Sequence, residues 1–326
     1  MSENYIPELT ELAFDNIDFS ATGVLNGAQT VSGTTFTTGG IVAQTAGISI
    51  NTTILSAGMV NTWTYEDTCL LPGACTIGDL LAEQGYRQVF MIGSDGMFGG
   101  RSSYFIGHGN YEVYDYFTAI EEGKIPEDYY TWWGYEDAKL MTYAKEKILE
   151  LAEGDDPFNF TMLTADSHAP EGYRCDLCED EYEDDYSNVL ACTSRQVDDL
   201  VEWIKQQEFW RDTTIVIAGD HLTMDSQYMA KQEELSDRKV FFTIINPAEG
   251  CKERERERVY TTLDLYPTTL AALGVQIEWE QLGLGVNLFS DEPTLVELYG
   301  MAYLNSQVLK NSEFYTEQLL YGRVQE

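Results

Sequence analysis

The chain has 326 residues, 44% hydrophobic and 13% aromatic, with 55 acidic against 19 basic side chains and a formal net charge of −36. That much apolar material can bury a large core, either as one large α/β domain or as a domain with a smaller lobe. The charge excludes recognition of nucleic acid or an anionic surface by general electrostatics, so attraction to an anionic substrate would have to be local.

The first predicted element is an amphipathic helix whose first turn contains Pro7, with no signal peptide or membrane span written before it. The glycine- and threonine-rich stretch from Gly23 to Gly47 becomes too apolar toward its end to be a tether. It predicts a helix over Gly39 to Gly47, preceded by hydroxyls at Thr34, Thr35, Thr37 and Thr38. A hydroxyl at a helix start lies near unpaired N–H groups and the positive end of the dipole, which favour an alkoxide and the anion it attacks. The competing reading is a cap and turn cluster.

Cys69 and Cys75 flank a Leu-Leu-Pro-Gly turn and predict a disulfide in an oxidising compartment. Gln88 to Ile92 reads as a buried strand running into Gly93, Ser94 and Asp95. A second, Phe158 to Leu163, runs into Asp166, Ser167 and His168. Cys175, Cys178 and Cys192 follow; a zinc ribbon would need a second Cys or His pair, so at least one disulfide among the three is expected. The run Glu179 to Asp185 reads as a solvated acidic loop, with Ca²⁺ binding as the alternative.

Thr214 to Ala218 is a β-branched apolar run, the pattern of a strand covered on both faces. Gly219 then turns the chain and presents Asp220 and His221, one hard oxygen donor and one imidazole nitrogen, suited to Mn²⁺, Zn²⁺ or Fe²⁺. The chain has three histidines, His108, His168 and His221, each after an apolar stretch or in a glycine-rich turn. Ligands of open parallel α/β sheets bind beyond the carboxyl ends of the strands, so three strands releasing polar residues there predict one shared site. Cys251, beside the charged run Lys252 to Arg258, is expected to be a free thiol.

Several motifs in one order resemble the alkaline phosphatase and sulfatase superfamily, specifically its phosphoglycerol transferases, which include lipoteichoic acid synthase and the enzyme modifying osmoregulated periplasmic glucans. They are Asn4-x-Ile6-Pro7-x-Leu9-x-x-Leu12, GTTFTTGGIVAQTAG from Gly33, LPGACTIGDLLAEQGY from Leu71 and GSDGMFGGRSSYFIGHG from Gly93. ADSHAPEGY from Ala165, AGDHLTM from Ala218, TTLDLYPTTLAALG from Thr261 and LGLGVNLF from Leu282 complete the series. The glucan-modifying branch is the closer match.

The resemblance implies a three-layer α/β/α domain with a mostly parallel central sheet over residues 1–326, with a smaller C-terminal subregion from about residue 250. It implies Thr37 as nucleophile and metal ligand, with Thr34 or Thr35 as alternatives, Asp220 and His221 as further ligands, and one divalent ion, Mn²⁺ before Zn²⁺ or Mg²⁺. His168 would act as an acid toward a leaving oxygen; Asp95 and Arg101 would hold glycerol hydroxyls and phosphate; His108 matches a substrate-binding position that is equally a structural one. The implied donor is a phosphatidylglycerol-type lipid and the acceptor a glycan hydroxyl. Phosphoethanolamine transfer, phosphodiester hydrolysis, or an inactive metal-poor fragment that only binds glycan or phospholipid are the alternatives.

Two departures stand out. Family members open with an apolar strand ending in a metal-binding glutamate, ahead of the Asn-x-x-Pro pattern and after membrane helices, and the sequence as written is expected to lack both; Asp15 and Asp18 are nearby carboxylates with nothing to place them at the site. The full-length form would then be membrane-anchored through those helices and extracytoplasmic. Thr37-Thr38-Gly39-Gly40-Ile41 has neither the proline nor the arginine of the Cys-x-Pro-x-Arg setting that formylglycine sulfatases need.

Overall fold

A computed structural model describes residues 3–20, 23–63, 69–232, 238–251 and 257–323. The β-branched and aromatic runs form the strands expected of them. β1 (Arg87–Ile92) lies between β2 (Glu112–Tyr114) and β3 (Phe158–Leu163), and both pairings are parallel. The register of β1 on β3 runs from Arg87 opposite Phe158 to Ile92 opposite Leu163, so both strands release their chains at the same end of the sheet.

β4 (Ile215–Ala218) pairs antiparallel with β5 (Phe242–Ile245), and a hairpin of β6 (Gln281–Leu282) and β7 (Gly285–Val286) follows. Isolated bridges from Ile17 to Ile244 and from Ala28 to Val240 extend the β5 side. The expectation that the strand at 214–218 is covered on both faces is corrected: Val216 is 36% exposed, and every residue of β3 is only half-buried. The physical reason is that β3 and β4 each have one hydrogen-bonded neighbour among the described residues, which leaves one edge of each open.

Helices cover the strands. The Asp137–Ala152 and Asp185–Lys205 helices bury Met141, Ile148, Leu200 and Ile204 together, and Phe158, Phe160 and Met162 of β3 and Ile215 of β4 pack against this same cluster. The first helix is Pro7–Asp15, with proline in its first turn where a missing N–H costs nothing. Leu9 and Leu12 pack with Val201 and Ile245. The C-terminal region returns to the body of the molecule: Leu263, Val296 and Leu304 are buried with Val31 and Ala43. Fully buried Arg258 fixes this return, bonding Glu297 and the carbonyls of Leu288, Ser290 and Glu292.

Two expectations about cysteine change. All six thiols are free. Cys69 packs its sulfur against Gly107, whereas Cys75 is exposed, so this pair forms no bridge. Sγ of Cys175 stands 3.7 Å from that of Cys178 and 3.9 Å from that of Cys192, far beyond the roughly 2.05 Å of a disulfide. The charged run after Cys251 lies largely outside the described residues.

Candidate functional site

The helix expected at 39–47 spans Thr37–Ala46 and ends at Gly47, whose φ of 64° is the left-handed cap that glycine takes without strain. Thr37 therefore occupies the first helical position, beside the unpaired N–H groups of the first turn. The four threonines separate clearly. Thr34 is fully buried and its hydroxyl exchanges bonds with Val31 and Thr262. Thr38 donates to the Gly99 carbonyl at 2.7 Å. Thr35 is exposed. Thr37 is half-buried and places Oγ1 3.5 Å from Nε2 of His221.

Small residues make this approach possible. A Cβ on Gly40 would lie 2.9 Å from the carbonyl carbon of Asp220 and closer still to its oxygen, so the helix and the turn after β4 touch backbone to backbone. Gln44, one turn further, donates to the Gly219 carbonyl at 2.8 Å. The Asp220-His221 pair is thereby held at the mouth of the Thr37 helix.

His221 Nδ1 lies 2.8 Å from the Leu222 carbonyl, an acceptor only, which places the ring proton on Nδ1 and leaves the Nε2 lone pair facing Thr37. The Asp220 carboxylate accepts the His221 amide through Oδ1, and Oδ2 stands 3.5 Å from Nε2. A hydroxyl, an imidazole nitrogen and a carboxylate oxygen thus converge, a mixed hard and borderline donor set that fits a divalent ion such as Mn²⁺ or Zn²⁺. The Nδ1 bond is the kind of outer contact that orients a metal-binding imidazole.

Arg101 enters from the turn after β1. Gly99 and Gly100 take φ of 73° and 70°, a reversal L-residues resist, and this delivers the guanidinium at the head of the Arg101–Gly107 helix. Arg101 is 8% exposed; Nη2 donates to the Asp95 carbonyl at 2.7 Å, while Nε is buried with no partner among the described residues. Burial pushes its pKa down to about 10, opposed by the charges of Asp95, Asp220 and Asp115. It stays cationic at neutral pH, with an unsatisfied donor that an anion would complete. Asp95 itself accepts from the Met97 amide at 2.8 Å, so its carboxylate shapes the same turn.

His168 arrives from the turn after β3. Its Nδ1 lies 2.5 Å from the Ala169 carbonyl, and its ring meets Trp133 edge-on at 4.8 Å. Trp133 in turn contacts Phe98, and Phe98 lies under the Arg101 guanidinium. Burial lowers the His168 pKa, and the charges of His221 and Arg101 add to that effect against Asp220. With its pKa below the ordinary histidine value of about 6.5, the free imidazole is mainly neutral at neutral pH, and the single negative charge of a bound phosphodiester would raise that pKa again.

Asp137, Tyr186 and Asp225, not named from the sequence, fasten this turn together with Asp166. Asp137, fully buried, accepts the amides of Ala165 and Asp166, and the Asp166 carboxylate accepts the Asp137 amide at 3.0 Å. Burial raises both carboxyls, to about 6 for Asp137 and about 8 for Asp166, where the neighbouring Asp137 charge adds to it. Tyr186 OH bonds both the Ser167 carbonyl and Thr223 Oγ1, and Asp225 accepts the Glu171 amide, so the loops after β3 and β4 are tied together. Thr223 falls inside the AGDHLTM motif and Asp225 just after it, whereas Asp137 lies 28 and 29 positions from the amides it accepts and carries no signal in the sequence.

His108 stands apart. It is 3% exposed, with Nδ1 3.0 Å from Asp79 and Nε2 3.0 Å from the Leu70 carbonyl. Burial disfavours its charge, but the bonds it makes to Asp79 and Cys69 outweigh that and push the pKa up to about 10. With both nitrogens taken, His108 has none to offer a substrate, and the structural alternative describes it. Asp18 likewise caps a local turn through the Ser20 amide. In the acidic run, Asp180 and Asp185 pair with Arg174, Glu181 with Arg195 and Asp184 with Lys231.

The sulfatase family model matches residues 4–275. The chain is 31% identical over 237 residues to phosphoglycerol transferase I of Xanthomonas campestris pv. campestris (strain B100), covering 70% of this chain and 32% of that protein. It is 28% identical over 300 residues to phosphoglycerol transferase I of Escherichia coli O127:H6, covering 88% and 36%. The chain thus spans about a third of the length of these curated relatives. Its fold is similar to lipoteichoic acid synthase LtaP from Listeria monocytogenes, with a TM-score of 0.64 at 18% identity over 88% of this chain and 70% of that one. It is also similar to the Streptococcus pyogenes phosphoglycerol transferase GacH in complex with sn-glycerol-1-phosphate, with a TM-score of 0.55 at 13% identity over 85% and 70%. On the match across most of its length, the chain belongs to the sulfatase family, with the α/β fold of the alkaline phosphatase superfamily.

Proposed function

We propose that this protein is a metal-dependent phosphoglycerol transferase that moves a glycerophosphate group from a phosphatidylglycerol-type lipid to a glycan hydroxyl, with Thr37 as nucleophile. The observation that carries this is the meeting of the Thr37 hydroxyl, at a helix start, with the free Nε2 of His221. The relatives named phosphoglycerol transferase I support the donor class. The chain lacks the proline and arginine of a formylglycine setting, which disfavours sulfate ester hydrolysis.

Thr37, Asp220 and His221 would hold one divalent ion, Mn²⁺ in the first instance. When bound, such an ion lowers the pKa of the Thr37 hydroxyl and offsets phosphate charge. Arg101, with its unpartnered Nε, binds the phosphate oxygens; Asp95 beside it receives glycerol hydroxyls. Thr37 Oγ1 attacks phosphorus, its proton leaves to solvent, and the bond to the diacylglycerol oxygen breaks. His168, protonated next to the anion, gives its proton to that oxygen. In the second half the glycan hydroxyl gives its proton to neutral His168 and attacks phosphorus of the phosphothreonine diester; the bond from phosphorus to Thr37 Oγ1 breaks, Thr37 leaves with the electron pair and takes a proton back from solvent, and His168 is left protonated for the next cycle. Phe98 and Trp133, 43% and 38% exposed beside Arg101 and His168, offer apolar ring faces to a sugar at the rim.

Transfer is tested with Mn²⁺ and phosphatidylglycerol: diacylglycerol should appear and a phosphoglycerol adduct should be found on Thr37 by peptide mass mapping, while Thr37→Ala yields neither. The same assay with phosphatidylethanolamine separates the two head groups, and water as sole acceptor separates hydrolysis. Because the chain spans a third of its relatives, the assay is repeated with a longer natural form; silence toward both lipids there would favour a protein that only binds glycan or phospholipid.

A further inference from the structure

The three cysteines at 175, 178 and 192 are not explained by the reaction chemistry. Cys175 and Cys178 sit in a tight turn, closed by the Cys178 amide on the Cys175 carbonyl, directly downstream of the His168 turn. Cys192 projects from the third turn of the Asp185–Lys205 helix. All three sulfurs lie within 4.8 Å of one another, and Cys175 and Cys192 are buried. A tetrahedral Zn²⁺ with bonds of about 2.3 Å sets sulfur to sulfur distances near 3.8 Å. The observed 3.7 and 3.9 Å match that spacing.

Gln196 supplies an independent sign. One helical turn beyond Cys192, it is 7% exposed and aims its amide into the cluster, with Nε2 3.4 Å from Cys192 Sγ and 3.9 Å from Cys175 Sγ. Its Oε1 is buried without a partner among the described residues. An amide that donates to sulfur is the contact a thiolate wants, and the unpaired oxygen leaves an acceptor for a water completing a tetrahedron.

We infer that Cys175, Cys178 and Cys192 form a structural thiolate site for Zn²⁺ or another thiophilic divalent ion, separate from the ion at Thr37, Asp220 and His221. The thiols release their protons to solvent on binding, with no change of oxidation state. The bound ion would staple the loop that follows His168 to the helix that carries Tyr186, whose hydroxyl holds the Ser167 carbonyl.

The test uses the whole chain, purified without chelators. Elemental analysis should find one zinc per chain that persists in His221→Ala and is lost in Cys175→Ser, Cys178→Ser and Cys192→Ser, while Cys251→Ser keeps it. Because a cysteine variant could fail to fold, the unaltered protein is also reconstituted with Co²⁺, which should give sulfur-to-cobalt charge transfer and the intense visible bands of a tetrahedral thiolate site. Slow alkylation of three thiols, made fast by a strong chelator, is the third expected result. A disulfide-linked peptide joining any two of these cysteines in zinc-free, folded protein would overturn the inference, as would three thiols that alkylate freely with no zinc and no cobalt spectrum.

Discussion

Gly40→Ala is the most demanding test of the site geometry, because it adds one methyl group and no chemistry. The new Cβ would stand 2.9 Å from the carbonyl carbon of Asp220, and the oxygen is nearer, so backbone meets backbone with no flexible side chain to yield. Restoring ordinary carbon contact distances of about 3.4 Å or more requires the first turn of the Thr37 helix to part from Asp220 by roughly 0.5–1 Å. A shift of that size at the nucleophile is of the order that costs about 10²-fold in rate. Overpacking adds roughly 1–3 kcal/mol of destabilisation. The measurements are kcat for release of diacylglycerol, Mn²⁺ affinity by titration calorimetry, and thermal unfolding. Gly58→Ala is the control, since a Cβ there meets only Ser56 Oγ at 3.9 Å. If Gly40→Ala keeps wild-type metal affinity and turnover, the contact between helix and turn does not set the position of Thr37 and the site as drawn is wrong.

Three other outcomes are expected. Asp166 and Asp137 have folded pKa values raised above their unfolded ones by burial, so the folded state holds extra protons between about pH 4 and 8 and stability falls as pH rises through that window. In chemical unfolding, Asp166→Asn should flatten that decline; an unchanged slope would mean the carboxyl pair does not share its proton. Arg101→Lys should raise KM for the lipid by at least about tenfold with kcat affected less, because an ammonium cannot reproduce the planar fork; an unaltered KM would remove Arg101 from phosphate binding. Arg258→Ala strips the cation from part-buried Glu297, which keeps only the Thr294 and Val259 amides, and unpairs the carbonyls of Leu288, Ser290 and Glu292; it should cost about 3–5 kcal/mol in denaturant titration, with Mn²⁺ affinity retained in the folded fraction.

Strand runs were legible because β-branched and aromatic residues cluster there, and so was the convergence of their C-terminal turns. The helix at Thr37 was legible from its threonines and glycines. What sequence could not supply is which hydroxyl escapes local bonding: Thr34 and Thr37 look alike on paper, and only packing against Thr262 and His221 separates them. The same holds for His108, whose partner Asp79 comes from a different helix. Asp137 was invisible because its role is to accept amides from residues 28 and 29 positions away. Cysteine spacing suggests covalent pairs, but a four-residue turn and a distant helix bring the sulfurs to coordination spacing rather than bonding distance.

The open edges of β3 and β4 have a colloidal consequence. Each strand has one hydrogen-bonded neighbour among the described residues and lies over one shared apolar cluster, and a strand edge of that kind is where sheets of neighbouring molecules can add. Repulsion from a formal net charge of −36 opposes such addition. That repulsion reaches only about 8 Å at physiological ionic strength and less in concentrated salt. Solubility of this chain should therefore drop with added salt or with pH approaching the carboxylate range, in the reverse of the salting-in seen for proteins held together by surface ion pairs, and light scattering against ionic strength reads it directly.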